Sequence, residues 1–327
     1  MTIKLRVLSV MSSNPNVSVI IPMLNAEHYI GNTLNTILSE RNVSIEVIII
    51  DDLSTDCSVR VVESFRDPRI QILTGAGEGI SAALNLAITS ASGEVIMRCD
   101  ADDYYPPDRI RRQYTWLSNN ADYGAVCGGF STMDANAHFV ATMETGDKGE
   151  DITTELASSI TRTSLNTFAI RANVLKELGG FRRFFETAED IDLQLRLSSV
   201  TKVMYVPEVN YLYRLHNQSI THTQGNIRRK FFEDTARYFQ HQRNALGRDD
   251  LDNGQPPIAP NVHGDKSNPV HEQIQGMLIG RAWDMHTKGF RLRSLMLAWQ
   301  AFIHNPLTFR YYRSVVALIL KPAKRTK

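Results

Sequence analysis

Two apolar runs in the first hundred residues end abruptly in carboxylates. Ile45 to Ile50 (IEVIII) runs into Asp51 and Asp52, and Glu94 to Cys99 (EVIMRC) runs into Asp100, Asp102 and Asp103. A third run, Val17 to Pro22 (VSVIIP), precedes both. Unbroken β-branched runs of this length mark strands buried on both faces. Helix-period segments lie between them, with Ile30, Leu34, Ile37 and Leu38 on one face, then a short helix around Val59, Val62 and Phe65. Ile70 to Leu73 is a further strand and Ser81 to Thr89 a further helix. This alternation predicts an α/β fold: a Rossmann-like, mainly parallel sheet flanked by helices. Ligands of such sheets sit beyond the carboxyl ends of the strands, where both acidic clusters fall. Crowded carboxylates repel unless something cationic sits among them.

The chain continues with a helix from about Asp108 to Leu117 after Pro106-Pro107, a strand from Ala125 to Met133 and an amphipathic segment from Asp151 to Ile160. Asn166 to Ile170 reads as a strand, and Ala172 to Leu178 as a helix closed by Gly179-Gly180. Thr187 to Ser199 is a helix, Lys202 to Pro207 a strand, and Tyr211 to His222 (YLYRLHNQSITH) a polar, aromatic tail. Beyond Gly225 the character becomes helical and charged, with a flexible surface loop expected at 247–268 and helices at 270–288, 291–304 and 309–320. The expected division is a lead-in (1–16), a catalytic domain (17–222) and a C-terminal helical extension (223–327).

Four features bear on chemistry. In Asp100-Ala101-Asp102-Asp103, two carboxylates one residue apart can point into one crevice. One can bind a divalent ion, since hard cations prefer oxygen ligands, and the other a ribose or a metal-bound water. The plain alternative, a polar loop with a helix-capping Asp, is outweighed because a second acidic strand end faces this one. Asp51 and Asp52 can accept hydrogen bonds from a base or a ribose, although Asp52 or Ser54 could instead cap the next helix. Glu189 and Asp190 open a helix, where the dipole favours negative charge. A carboxylate held there is also placed to take a proton from a hydroxyl. Gly75-Ala76-Gly77-Glu78-Gly79 resembles a dinucleotide loop, but Ile80 breaks the G-x-G-x-x-G spacing, so these glycines more simply let the backbone pass close to a ligand.

The bulk numbers narrow the class. A formal charge of +1 over 327 residues argues against a nucleic-acid binder. Cys57, Cys99 and Cys127 give neither a disulfide framework nor zinc spacing, which suits a reducing compartment. Val7 to Met11 is too short for a secretory core, and Val315 to Leu320 far too short for a membrane span. From Arg281 to Lys327 there are ten Lys or Arg and one acidic residue, Asp284, interleaved with apolar residues. That region reads either as a helical appendage with a solvated basic face or as an attachment to an anionic membrane surface.

Taken in order, VSVIIPMLN (17–25), IEVIIIDDLSTD (45–56), GISAALNLAI (79–88), GEVIMRCDADD (93–103), LKELGGF (175–181), AEDIDLQLRL (188–197) and YRLHNQSIT (213–221) resemble a family 2 glycosyltransferase of the GT-A fold. The resemblance implies an inverting hexosyltransferase that takes its sugar from a nucleotide-sugar donor, with UDP favoured, and needs Mn2+ or Mg2+. It implies base contacts from Asp52 or Asp51, with Pro22, Leu24, Asn25 and Gly79 lining the donor pocket. Asp100 would lie near ribose and phosphate, and Asp102 in the DxD motif would bind the metal. Asp190, beside Glu189, would be the general base, and Arg214 and His216 would close over diphosphate and metal. The implied acceptor is a saccharide or lipid-linked saccharide in surface polysaccharide synthesis, at a cytoplasmic site or on the inner face of the membrane. Two departures stand out. Leu84 replaces an arginine common in relatives, and Ile160 to Asn166 lacks a His-Pro pair. A nucleotidyltransferase is disfavoured because PMLNAEHYI lacks that class's Gly-rich loop with Arg and Lys. A non-catalytic sugar-nucleotide-binding protein remains the other reading.

Overall fold

A computed structural model describes residues 14–143, 147–216, 226–261, 269–304 and 312–321. Most of the expected lead-in, residues 262–268 of the expected loop and residues 217–222 of the tail lie outside the described residues.

The first half follows the apolar pattern closely. Strands β1 (Val17–Met23), β2 (Ile45–Asp51), β3 (Ile70–Thr74) and β4 (Val95–Arg98) alternate with helices α1 (Ile30–Leu38), α2 (Ser58–Glu63) and α3 (Ile80–Ser90). β1 pairs in parallel with β2 and with β4, and β2 with β3. Two apolar clusters cover the two faces of this sheet. Ile30, Leu34 and Ile37 of α1 pack on Val19 and Ile21, while Leu84 and Ile88 of α3 pack on Ile20 and Ile48. Alternate residues of β1 thus enter opposite layers, the period-two signature of a strand buried on both sides.

Beyond β4 the sheet becomes mixed. The remaining elements are α4 (Arg109–Asn119), β5 (Tyr123–Met133), β6 (Phe139–Met143), β7 (Glu150–Asp151), α5 (Thr153–Ala157), a 3-10 turn (Leu165–Thr167), β8 (Ala169–Arg171), α6 (Ala172–Glu177), α7 (Glu189–Leu197) and β9 (Lys202–Arg214). The strand order is β3-β2-β1-β4-β8-β5-β9-β7, with β6 on β5. Three outcomes differ from the sequence reading. Tyr211 to Arg214 is the end of β9, not tail, because β5 continues alongside it as far as Met133↔Arg214. β6 is an additional strand: a turn at Asp134 to Ala137, closed by Asp134 N–H to His138 O, folds it back on β5. Asn166 sits in the 3-10 turn rather than in a strand.

The C-terminal region is helical: α8 (Asn226–Leu246), α9 (Val270–Thr287), α10 (Arg291–His304) and α11 (Tyr312–Leu320). α8 buries Phe232, Ala236 and Phe239, at helical spacing, against Phe185 and Ala188 just ahead of α7. Fully burying side chains of this size stabilises by about 1.5–3 kcal/mol each. α9 to α11 form a separate cluster with Val140, Ala141 and Leu215.

Candidate functional site

Three neighbouring strands, in the order β2-β1-β4, end at the same edge of the sheet. Adjacent strands are about 4.8 Å apart, so the acidic ends of β2 and β4 stand on the order of 10 Å from each other. Asn25, in the left-handed region at φ 51°, turns the chain out of β1 between them. Its backbone N–H donates to Ser54 Oγ at 2.9 Å, and its side-chain Oδ1 accepts from Thr55 N–H at 2.8 Å. Pro22 lies in β1, and Leu24 is exposed beside Asn25.

At the end of β2, Asp51 accepts from Ser54 N–H at 3.3 Å. Asp52 accepts from Gly77 N–H at 2.8 Å and from Gly79 N–H at 3.2 Å. Neither Asp52 nor Ser54 caps α2; Asp56 does that work by accepting from Ser58 N–H at 2.9 Å. The glycine loop therefore wraps a carboxylate of its own chain. A Cβ on Gly75 would stand 2.5 Å from Asp52 Oδ1, so only glycine fits this approach. Leu84 is wholly buried under the sheet, so α3 offers no charged group there.

The β4 end is a dense polar network. Arg98, inside an otherwise apolar buried strand, donates from Nε to Asp100 Oδ1 at 2.8 Å and from Nη1 to Glu189 Oε1 at 3.0 Å. Asn166 Nδ2 donates to Asp100 Oδ2 at 2.8 Å. Tyr211 hydroxyl accepts from Asp100 N–H at 2.9 Å and donates to Asp103 Oδ2 at 2.7 Å. Asp103 is completely buried and also accepts from Arg214 N–H at 2.6 Å. Burial, with the charges of Asp102 and Asp100, pushes its carboxyl well above the usual carboxylate range.

Asp102 and His216 meet directly, with Oδ2 and Nε2 at 2.7 Å. Arg214 threads between rings, its guanidinium 4.6 Å from the centre of Tyr104 and 5.2 Å from that of Tyr29. Its Nε donates to Asp102 O at 2.7 Å and its Nη1 to Ala135 O at 2.8 Å. Two buried atoms here, Arg214 Nη2 and His216 Nδ1, have no hydrogen-bond partner among the described residues. No group of three or more His, Cys, Asp or Glu able to hold a metal occurs among the described residues. The Asp102–His216 pair supplies two donors, one oxygen and one nitrogen. That set suits a divalent ion whose remaining ligands come from substrate phosphate and water.

Glu189 and Asp190 occupy the first turn of α7, entered through Ala188 at φ 61°. Burial raises the Glu189 carboxyl to about 7, with Arg98 opposing the rise and Asp190 adding to it. Burial also raises the Asp190 carboxyl, against the pull of Arg98 and Arg229. α7 is anchored on its far side by Asp192, fully buried between Arg182 and Arg196, with Asp249 also holding Arg182. These partners place a partly exposed Asp190 on a rigid element facing the β4 network.

The structure thus joins Asp100, Asp102, Glu189, Arg214 and His216 through direct contacts or one intermediate residue. At the neighbouring strand ends Ser54 links Asn25 to Asp51, and Gly79 N–H donates to Asp52. Sequence reasoning missed Arg98, Asn166 and Tyr211. An arginine within a run of buried β-branched residues was the available signal, since a charge there needs a partner.

Residues 18–179 match the family model described as Glycosyl transferase family 2. The hyaluronan synthase of Pasteurella multocida is 28% identical over 66% of this chain and 22% of its own length. An uncharacterized glycosyltransferase of Haemophilus influenzae is 29% identical over 81% of this chain and 85% of its own. The putative glycosyltransferase EpsE of Bacillus subtilis is 30% identical over 57% of this chain and 68% of its own. The chain therefore spans about a fifth of the hyaluronan synthase. Among solved structures, Staphylococcus aureus TarS 1–349 in complex with UDP-GlcNAc aligns with a TM-score of 0.56 at 15% identity, covering 95% of this chain and 94% of that one. The same protein in complex with UDP aligns at 0.55 and 16% identity, covering 93% and 87%. This likeness is one of fold.

Proposed function

The chain belongs to glycosyl transferase family 2, and from that premise we propose that it moves a sugar from a nucleotide-diphosphate donor to an acceptor hydroxyl with inversion. The observation that carries the reading is the Asp100–Arg98–Glu189 link, which ties the acidic end of β4 to the helix start bearing Asp190. UDP as the nucleotide is supported by the UDP and UDP-GlcNAc bound to TarS. A saccharide or lipid-linked saccharide acceptor, in surface polysaccharide synthesis, is in keeping with the hyaluronan synthase relative.

In this reading Asp52, Asn25, Asp51 and the backbone at Pro22, Leu24 and Gly79 hold the nucleoside. Asp100 meets the ribose, and Nη2 of Arg214, which has no partner among the described residues, donates to a diphosphate oxygen. Asp102 and His216 would hold Mn2+ or Mg2+, which supplies Lewis-acid stabilisation of the charge on the departing diphosphate. Asp190 takes the acceptor proton. Burial raises its pKa, which makes the carboxylate a stronger base toward the acceptor hydroxyl. Glu189, neutralised by Arg98, fixes the start of α7. No covalent intermediate is required, because base and leaving group act on opposite sides of the anomeric carbon.

The test is a donor panel with Mn2+ or Mg2+, scoring released nucleotide and the anomeric configuration of the product. Asp190→Asn is expected to keep donor binding and lower turnover by roughly 10²–10⁴. Full turnover in that variant removes Asp190 from the role, and nucleotide binding without transfer or hydrolysis across the panel removes the enzyme.

A further inference from the structure

We propose that the outward faces of α10 and α11 form a docking surface for an anionic lipid bilayer. On α10, Leu292, Met296, Trp299 and Ile303 recur four, three and four residues apart, which is one face of a helix. They are 75%, 58%, 61% and 61% exposed, while the opposite face buries Ala298 and Ala301. α11 repeats the arrangement, with Val316, Ile319 and Leu320 exposed and Leu318 buried. The helices are joined at both ends and run in opposite directions. Phe302 meets Tyr312 at 5.7 Å between ring centres, and Arg291 donates to Ile319 O at 3.0 Å. Large exposed apolar side chains gathered in this way mark an interaction surface rather than ordinary solvent-facing scatter.

Charge decides the kind of partner. From residue 285 to the last residue the sequence carries nine Lys or Arg and no Asp or Glu. Arg291, Arg293, Arg313 and Lys321 are exposed around the apolar faces. Lys288 has its own partner in Asp284 at 3.0 Å, so the excess lies with the others. Exposed leucine, isoleucine and tryptophan framed by uncompensated cations suit the boundary between acyl chains and anionic headgroups. A 14-residue helix is about 21 Å long, short of the roughly 30 Å hydrocarbon core, and no described helix is long and apolar enough to cross a membrane. The helices would therefore lie in the interface plane. This surface does not depend on the transfer reaction, so its test reads no activity.

The full chain is floated with vesicles of phosphatidylcholine alone and of phosphatidylcholine mixed with phosphatidylglycerol, at low and high salt. Retention is expected on the mixed vesicles only, and salt should weaken it. Each cation near an anionic leaflet contributes about fivefold to binding, so Arg293→Glu with Arg313→Glu should weaken retention by at least about 25-fold. Leu292→Ser with Trp299→Ser should abolish it, with circular dichroism unchanged because both side chains are exposed. Equal retention on neutral vesicles, retention by the serine variant, or no retention at all overturns the proposal. A concentration-dependent dimer that the serine variant abolishes, without vesicle binding, assigns the face to a second copy of the chain and overturns it too.

Discussion

Replacing Arg98 by glutamine would remove the cation that links the buried Glu189 to the partly buried Asp100. Arg98 reaches Asp100 at 2.8 Å and Glu189 at 3.0 Å, and neither it nor Glu189 is more than 9% exposed. Glu189 rises from 4.5 to about 7 even with Arg98 present, so keeping it ionised already opposes about 3 kcal/mol of burial. Losing one partner of such a pair costs about 3–5 kcal/mol. At the low end of the usual conversion, about 2 °C per kcal/mol for a larger domain, the midpoint should fall by roughly 6–10 °C. The sign with pH is fixed. A carboxyl whose folded pKa is raised stabilises most below its unfolded value of 4.5, and that contribution is lost as pH rises through 7. Without Arg98 the folded pKa climbs further, so the part of the penalty carried by Glu189 should be small near pH 5 and grow as pH rises past 7 toward 8, while the part carried by Asp100 is present at both. Thermal unfolding of wild type, Arg98→Gln and Arg98→Lys at both pH values measures this. Lysine keeps the charge but lacks the fork that meets two carboxylates, so it should fall between the other two. A penalty that is equal at both pH values, or larger at acid pH, would refute the account.

Two further outcomes follow from the same network. His216→Ala and Asp102→Ala should each weaken Mn2+-dependent UDP binding in calorimetric titration while leaving metal-free UDP binding nearly unchanged; an unaltered titration in both would remove the pair from metal binding. Tyr211→Phe deletes the hydroxyl shared by Asp100, Asp103 and Asn166, and should destabilise by about 1–3 kcal/mol in denaturant unfolding, because it leaves buried groups unpaired. A change within error would mean that the network repairs itself.

What could be read in the sequence was local. The runs around Ile20, Ile48 and Ile96 announced buried strands, and the carboxylates at two of their ends announced an acidic edge of the sheet. The contacts that assemble the site are remote. Tyr211 meets Asp100 across 111 positions, and Asn166 meets it across 66. No periodicity encodes such meetings, because they arise from strand order and from the bend of the chain around β8. β6 was missed for a different reason. Asp134 to Ala137 carries turn-forming residues, but the five-residue strand after it is too short to display a pattern.

Near the end of the catalytic sheet, successive side chains part company. Arg214 and His216 turn toward Asp102, and Leu215 between them is buried among α9 and its neighbours. The helical region is thus no detachable tail. Anyone splicing the C-terminal helices of one relative onto the sheet of another would need to carry Val140, Ala141 and Leu215 across the junction as matched pieces, or the imidazole and guanidinium beside Asp102 would lose their footing.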